Sequence, residues 1–169
     1  MIVVSDTTPL ITLMKVEKLD LLHDLFGEVL IPEAVYDEVT KNETFKDEAD
    51  LIKNSSFIQK VVVKNHDHVL LLQRATGLDR GESEAIVYAD EVKAELLLMD
   101  EAAGRKVAMN MNLTTTGSIG ILLQAFKTGR MSAKETEDTL NKIRESKRHI
   151  SETLIQDALE IIYGKLSEI

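Results

Sequence analysis

Short apolar runs alternate with helical patterns through the first 130 residues. Residues 2–5 (Ile-Val-Val-Ser) read as a buried strand, bounded by the polar Asp6. Thr8-Pro9 then offers a helix cap with proline at the first helical position, and Leu10, Ile11, Leu13 and Met14 supply the apolar side. A second helix over 19–25 stops at Gly27. A strand over 28–31 stops at Pro32, and the pattern predicts helix over 33–41 and again over 46–54. Residues 57–63 read as strand. Residues 67–75 read as a helix with Val69, Leu70, Leu71 and Leu72 partly buried, and 76–80 as a loop. Helix over 81–92, strand over 95–99, helix over 101–110, a short strand over 113–115 and helix over 117–128 complete the run. Strands alternating with helices in this way predict an α/β/α fold with three layers around a mainly parallel sheet of about five strands.

From Met131 the pattern becomes purely helical. Ser132-Ala133-Lys134-Glu135 has the form of a capping box, and a second helix from Ser151 carries Leu154, Ile155, Ala158, Leu159 and Ile162 on one stripe. The expected organisation is an α/β domain over residues 1–130 and a C-terminal helical extension over 131–169. A two-helix tail cannot bury such a stripe by itself, so it must pack on the body or on a partner.

Composition narrows the functional classes. With 4% aromatics and no Trp, the core must be aliphatic, and nucleic-acid binding through stacked aromatic side chains is disfavoured. The absence of Cys excludes disulfides, thiolate zinc sites and cysteine nucleophiles, and fits a cytoplasmic protein. No apolar run approaches the roughly 18 residues of a membrane span, and the first residues lack the pattern of a signal peptide. A protein that begins here and stays in the cell is expected. The net charge of −9 argues against broad, non-specific affinity for nucleic acid.

Four acids carry the candidate chemistry. Asp6 and Asp100 each follow an apolar strand, and in an open parallel sheet ligands bind beyond the carboxyl ends of the strands. With Thr8 available as the cap, Asp6 is left to face the crevice. Glu82 shares a helix face with Ala85, Ile86 and Ala89, the small side that should pack on the sheet, whereas Glu84 falls with Tyr88 and Glu91 on the expected solvent side. Glu38 follows Ala34 and Val35 by four and three residues. Alone it reads as a surface acid, and the other three make it a candidate. Carboxylates converging without cations repel each other unless they are protonated or neutralised by a divalent metal. Each acid also has a bland reading as a helix cap or dipole partner, and Glu101 is an alternative to Asp100.

Other motifs are weaker. His66-Asp67-His68 offers two imidazoles, but residues two apart seldom supply two ligands without a third. Thr114-Thr115-Thr116-Gly117-Ser118 opens a helix whose amides and hydroxyls suit a phosphate, and capping explains it equally well. Lys142, Arg144, Lys147, Arg148 and His149 form the one basic cluster, a candidate backbone or partner contact that also fits a solvated helix face.

With these residues placed, the chain resembles the PIN-domain family, in particular the VapC-type toxin ribonucleases of toxin–antitoxin systems. The resemblance rests on Ser5-Asp6-Thr7 at the end of the first strand and on Glu38 in the helix after Ile31-Pro32. It also uses Gly81-Glu82-Ser83-Glu84-Ala85-Ile86 at the start of an Ala-rich helix and Leu98-Met99-Asp100 after the next strand. Gly117-Ser118-Ile119-Gly120-Ile121-Leu122 is similar to a PIN-like subgroup with a glycine-rich start to this helix. Glu82 stands where most of the family carries Asp. The resemblance covers about residues 1–130. It implies a metal-dependent endoribonuclease in which Asp6, Glu38, Glu82 and Asp100 hold Mg²⁺ or Mn²⁺, an RNA substrate, an antitoxin partner and a homodimer. The alternative it leaves is a non-catalytic PIN-like module that binds RNA or protein. Receiver and haloacid-dehalogenase-like domains also place an Asp after the first strand. The latter needs a second Asp two residues on, where this chain has Thr8, and the acidic pair and late Lys of a receiver are not evident.

Overall fold

The computed structural model describes residues 1–146 and 150–164. Five strands, β1 (Val3–Ser5), β2 (Val29–Pro32), β3 (Ile58–Val61), β4 (Leu96–Leu98) and β5 (Thr115–Thr116), form one sheet in the order β3-β2-β1-β4-β5. Every pairing is parallel. The chain winds outward from β1 through β2 to β3, then returns to place β4 on the other side of β1. The strand order therefore reverses between β1 and β4, where Val3, Val4 and Ser5 lie opposite Leu96, Leu97 and Leu98.

Alternation along these strands feeds two cores. Val3 and Leu98 point to one face, where they meet α1 (Thr7–Lys15), α2 (Leu21–Phe26) and α8 (Ser118–Lys127). Val4 and Leu97 point to the other, under α6 (Arg80–Glu91) and α7 (Ala102–Asn110). Successive side chains of a strand face opposite ways, so a strand covered on both faces reads as a near-continuous apolar run, as Val3-Val4 and Leu96-Leu97-Leu98 do. The remaining helices of the body are α3 (Glu33–Lys41), α4 (Lys46–Asn54) and α5 (His66–Thr76), with a 3₁₀ turn at Glu43–Phe45 before α4.

The C-terminal helices α9 (Ala133–Glu145) and α10 (Glu152–Ile162) complete the first core. Ile155, Ala158 and Ile162 of the expected stripe are buried beside Leu140 and Ile143 of α9 and the apolar face of α8, while Leu154 and Leu159 are half-buried. Burial of each larger side chain stabilises the fold by about 1.5–3 kcal/mol. Ser132 and Glu135 form the capping box that opens α9, and the Ser151 hydroxyl accepts from the Leu154 amide at the start of α10. Arg144 ties the two helices through Glu152 at 2.8 Å. Of the basic cluster, Lys147, Arg148 and His149 lie outside the described residues.

Two local expectations differ from the structure. Helix α1 starts at Thr7, which makes Asp6 its N-cap residue by position and moves Pro9 to the third helical position. Leu70 and Leu71 of α5 are exposed rather than partly buried, because only the Val69 face of that helix reaches α6.

Candidate active site

The crevice lies where the strand order reverses, at the carboxyl edge of β1 and β4, the place where open parallel sheets bind ligands. Asp6 ends β1 and its amide donates to Leu98 O at 2.9 Å, which fixes it against the neighbouring strand. Although Asp6 occupies the N-cap position of α1, its side chain makes no capping hydrogen bond. A capping side chain accepts from the second or third amide of the helix, and the third residue here is Pro9, which has none. The carboxylate is left facing the crevice.

Gly81, the second residue of α6, marks where the acids meet. A Cβ built there would lie 3.2 Å from Glu38 Oε2, 3.5 Å from Asp79 Oδ1 and 3.7 Å from Asp6 Oδ1. Three carboxylates from three elements thus surround one point that only a glycine leaves open. Glu38 stands on the exposed rim, where Thr7 Oγ1 donates to its Oε2 at 2.7 Å. Asp6 is almost fully buried, and burial first of all pushes its pKa up to about 8. The charges of Asp79, Glu82 and Glu38 add to the rise, while the Thr7 amide opposes it.

Glu82 borders the same crevice but is engaged. With Asp79 it forms a capping box: Asp79 Oδ1 accepts from the Glu82 amide at 2.8 Å, and Glu82 Oε2 accepts from the Asp79 amide at 3.0 Å. Burial, together with the nearby charges of Asp79, Glu101 and Glu38, raises its pKa, against the hydrogen bond from the Asp79 amide. Asp100 stands beyond β4. Its Oδ1 accepts from the Ser118 amide and its Oδ2 from the Ser118 hydroxyl, both at 2.6 Å. Position 117 must be glycine for this approach, since a Cβ there would lie 2.6 Å from Asp100 Oδ1. The helix-start amide and hydroxyl that suited a phosphate are therefore given to Asp100.

The structure thus gathers Asp6, Glu38 and Asp79 about one point, sets Glu82 beside them in a cap, and holds Asp100 on the neighbouring strand against α8. The sequence pattern places Asp79 in a loop, and the structure makes it the N-cap of α6. Its signal is the pattern Asp-x-x-Glu, a capping box that becomes visible once the helix is started one residue earlier, at Arg80. Glu84 is corrected from the solvent side to a buried position. Its Oε2 accepts from the Ala34 amide at 2.9 Å and its Oε1 pairs with Arg80 Nε at 2.8 Å. It thereby caps the first turn of α3 across the helix interface, outside the acid cluster.

Among the described residues, no three or more His, Asp or Glu side chains stand as a ready-made ligand set for a metal. The donor chemistry nevertheless suits a hard cation. The donors are all carboxylate oxygens, one of them is buried, and no cation is paired with Asp6, Glu38 or Asp79 among the described residues. His66 and Asp67 open α5, and both are exposed. No helix of the described chain is long and apolar enough to cross a membrane.

Fold and crevice together define a class: an open, all-parallel α/β/α domain with an oxygen-donor acid site where its strand order reverses. The chain belongs to the DUF3368 family, whose model, described as a PIN domain, matches residues 2–163. It therefore has a nuclease-type fold. No curated protein and no solved structure matches the chain.

Proposed function

We propose that the protein is a metal-dependent endoribonuclease that hydrolyses RNA phosphodiester bonds at the crevice of Asp6, Glu38, Asp79, Glu82 and Asp100. The observation that carries this reading is the convergence on the point above Gly81 of three carboxylates that have no cation beside them among the described residues. Asp6, Glu38 and Asp79 would hold Mg²⁺ or Mn²⁺, with Glu82 and Asp100 at its margin. When bound, the ion would polarise the scissile phosphate and acidify a water for in-line attack.

The chain's own residues prepare that site. Thr7 orients Glu38, Ser118 fixes both oxygens of Asp100, and the capping box sets Asp79 and Glu82 at the mouth of α6. Asp6 would have to be deprotonated to hold the cation, which would couple metal uptake to proton release. The reading extends to an antitoxin that restrains the enzyme, to a homodimer and to action in the cytoplasm. Leu70, Leu71 and Val62 are exposed apolar side chains open to an interface.

RNA cleavage in Mn²⁺ or Mg²⁺, abolished by EDTA and by Asp6→Asn, tests the proposal. Cleavage that persists in EDTA, or in the variant, would refute it. A non-catalytic PIN-like binding module is the second reading. It is favoured by the commitment of Glu82 to the helix cap and by the net charge of −9. Calorimetry without divalent binding at millimolar metal would select it.

A further inference from the structure

Beside the acid crevice runs a cleft of about 570 Å³, bounded by the start of α7, the turn from β5 into α8, and α10. Asp100 and Glu101 are among its lining residues, so it adjoins the edge that carries the acids. The volume falls within the usual range of about 300–1,000 Å³ for small-ligand sites. Its apolar lining includes Ile119, Leu123, Leu154 and Ile161, and Asp157 of α10 also lines it. Leu123, Leu154 and Ile161 are only half-buried, so part of each side chain faces the space.

Arg105 stands at the junction of cleft and crevice. One guanidinium nitrogen, Nη1, lies 3.3 Å from the point a Gly117 Cβ would take, and Asp100 Oδ1 lies 2.6 Å from that same point. Despite this neighbour, Arg105 makes no ion pair or side-chain hydrogen bond with any other described residue. Both acceptor oxygens of Asp100 are already held by Ser118. A half-buried guanidinium with no partner among the described residues, beside a carboxylate whose two oxygens each already accept from Ser118, can receive an anion, and its planar fork matches a phosphate. Lys127 also lines the cleft and has a partner of its own.

We infer that this cleft seats the RNA nucleotide adjacent to the scissile bond, with its phosphate on Arg105 and its base between the aliphatic walls of α8 and α10. The inference rests on the endoribonuclease reading of the acid crevice and adds to it the path of the substrate. A nucleotide combines a single charged group with a flat apolar face. The cleft offers the same pairing, a guanidinium next to Asp100 and apolar side chains from α8 and α10. The C-terminal helix α10 is then a wall of the substrate site as well as part of the core.

The experiment uses the full-length protein and a fluorescent single-stranded RNA of mixed sequence, bound in EDTA so that no cleavage occurs. Arg105→Gln should weaken binding about tenfold and lower the slope of log affinity against log salt by about one, the signature of one lost phosphate contact. Arg105→Lys should keep much of the slope. Leu154→Trp, which fills the cleft, should weaken binding while leaving the slope unchanged. In the loaded enzyme both effects should fall on KM more than on kcat. Wild-type protein that cleaves RNA while Arg105→Gln and Leu154→Trp bind it with unchanged affinity and slope would overturn the inference and leave the endoribonuclease reading standing. Binding indifferent to both variants because the cleft takes a protein segment overturns it in the same way. Arg105-dependent binding in a protein that never cleaves RNA would support the cleft and refute the nuclease.

Discussion

Buried carboxylates occur in two regions of this molecule, and they are treated in opposite ways. Glu48 on α4 is buried and paired with Lys15 of α1, and Glu84 on α6 is buried and paired with Arg80 while it caps α3. Each has a cation within reach and a place in the framework. Asp6 is as deeply buried, yet its neighbours are Asp79, Glu82 and Glu38, all of its own sign. Removing a carboxylate from water is costly unless a positive charge or hydrogen bonds compensate. The helix interfaces supply that compensation from within the chain. The crevice at the edge of β1 and β4 leaves it to be supplied from outside.

The contrast breaks most sharply on activity. Asp6→Asn keeps the shape of the side chain and removes its charge, so RNA cleavage should fall at least about 100-fold, equivalent to about 2.7 kcal/mol of transition-state stabilisation. Glu84→Gln should leave kcat within about twofold of wild type, by the same scale of less than ~0.5 kcal/mol. Single-turnover rates compare the two. Equal losses would dissolve the distinction between framework and crevice acids.

Stability against pH separates them next. The folded pKa of Asp6 is near 8, against an ordinary value of 3.8. The folded protein therefore keeps a proton that the unfolded chain releases. Stability linked to that proton is complete below about pH 4 and is lost as the pH rises through about 8. In EDTA, wild-type protein should lose a few kcal/mol relative to Asp6→Asn across this window, as read by urea unfolding near pH 5 and near pH 8. A constant difference between the two proteins would show that burial does not raise the Asp6 pKa.

Smaller effects sharpen the picture. Lys15→Met strands Glu48 without its cation and should cost about 1–3 kcal/mol near neutral pH, reduced from a fully buried pair because Lys15 is itself partly exposed. Glu48→Gln in the same background should restore most of that loss. A Lys15→Met protein of unchanged stability would mean that the pair compensates nothing. Smallest in stability is Gly81→Ala, which exchanges glycine for a better helix former and should gain up to about 0.5–1 kcal/mol. Its methyl would fill the point between the three crevice carboxylates, so calorimetry should show Mn²⁺ affinity falling at least about tenfold, or ~1.4 kcal/mol. Unchanged affinity would move the cation away from Gly81.

Much of the fold was legible because its signals are local. Apolar β-branched runs marked the strands, Gly27 and Gly129 closed helices, and Ser132 with Glu135 announced α9. The strand-end positions of Asp6 and Asp100 were legible for the same reason. Asp79 was obscured by a one-residue error in the start of α6, which hid the cap that it forms with Glu82. Glu84 was misplaced for a deeper reason. Helical periodicity gives the direction of a side chain but not what packs there, and the N-terminus of α3 crosses α6 on the face expected to meet solvent. Asp100 points as it does because of Ser118, eighteen residues later, and only the β4–β5 pairing brings the two together.

The pairing of β1 with β4 has a consequence in time. Asp6 and Asp100 share an edge only after a strand made of residues 96–98 has docked beside one made of residues 3–5. This closes a loop of about ninety residues, and such long-range contacts form late because the chain entropy they cost is recovered only on docking. A nascent chain that has just emerged through α3 already displays Asp6 and Glu38, but α6, which frames the point above Gly81, and the second strand of the crevice have yet to be made. Synthesis itself thus keeps the site open and incomplete until more than half of the polypeptide has left the ribosome.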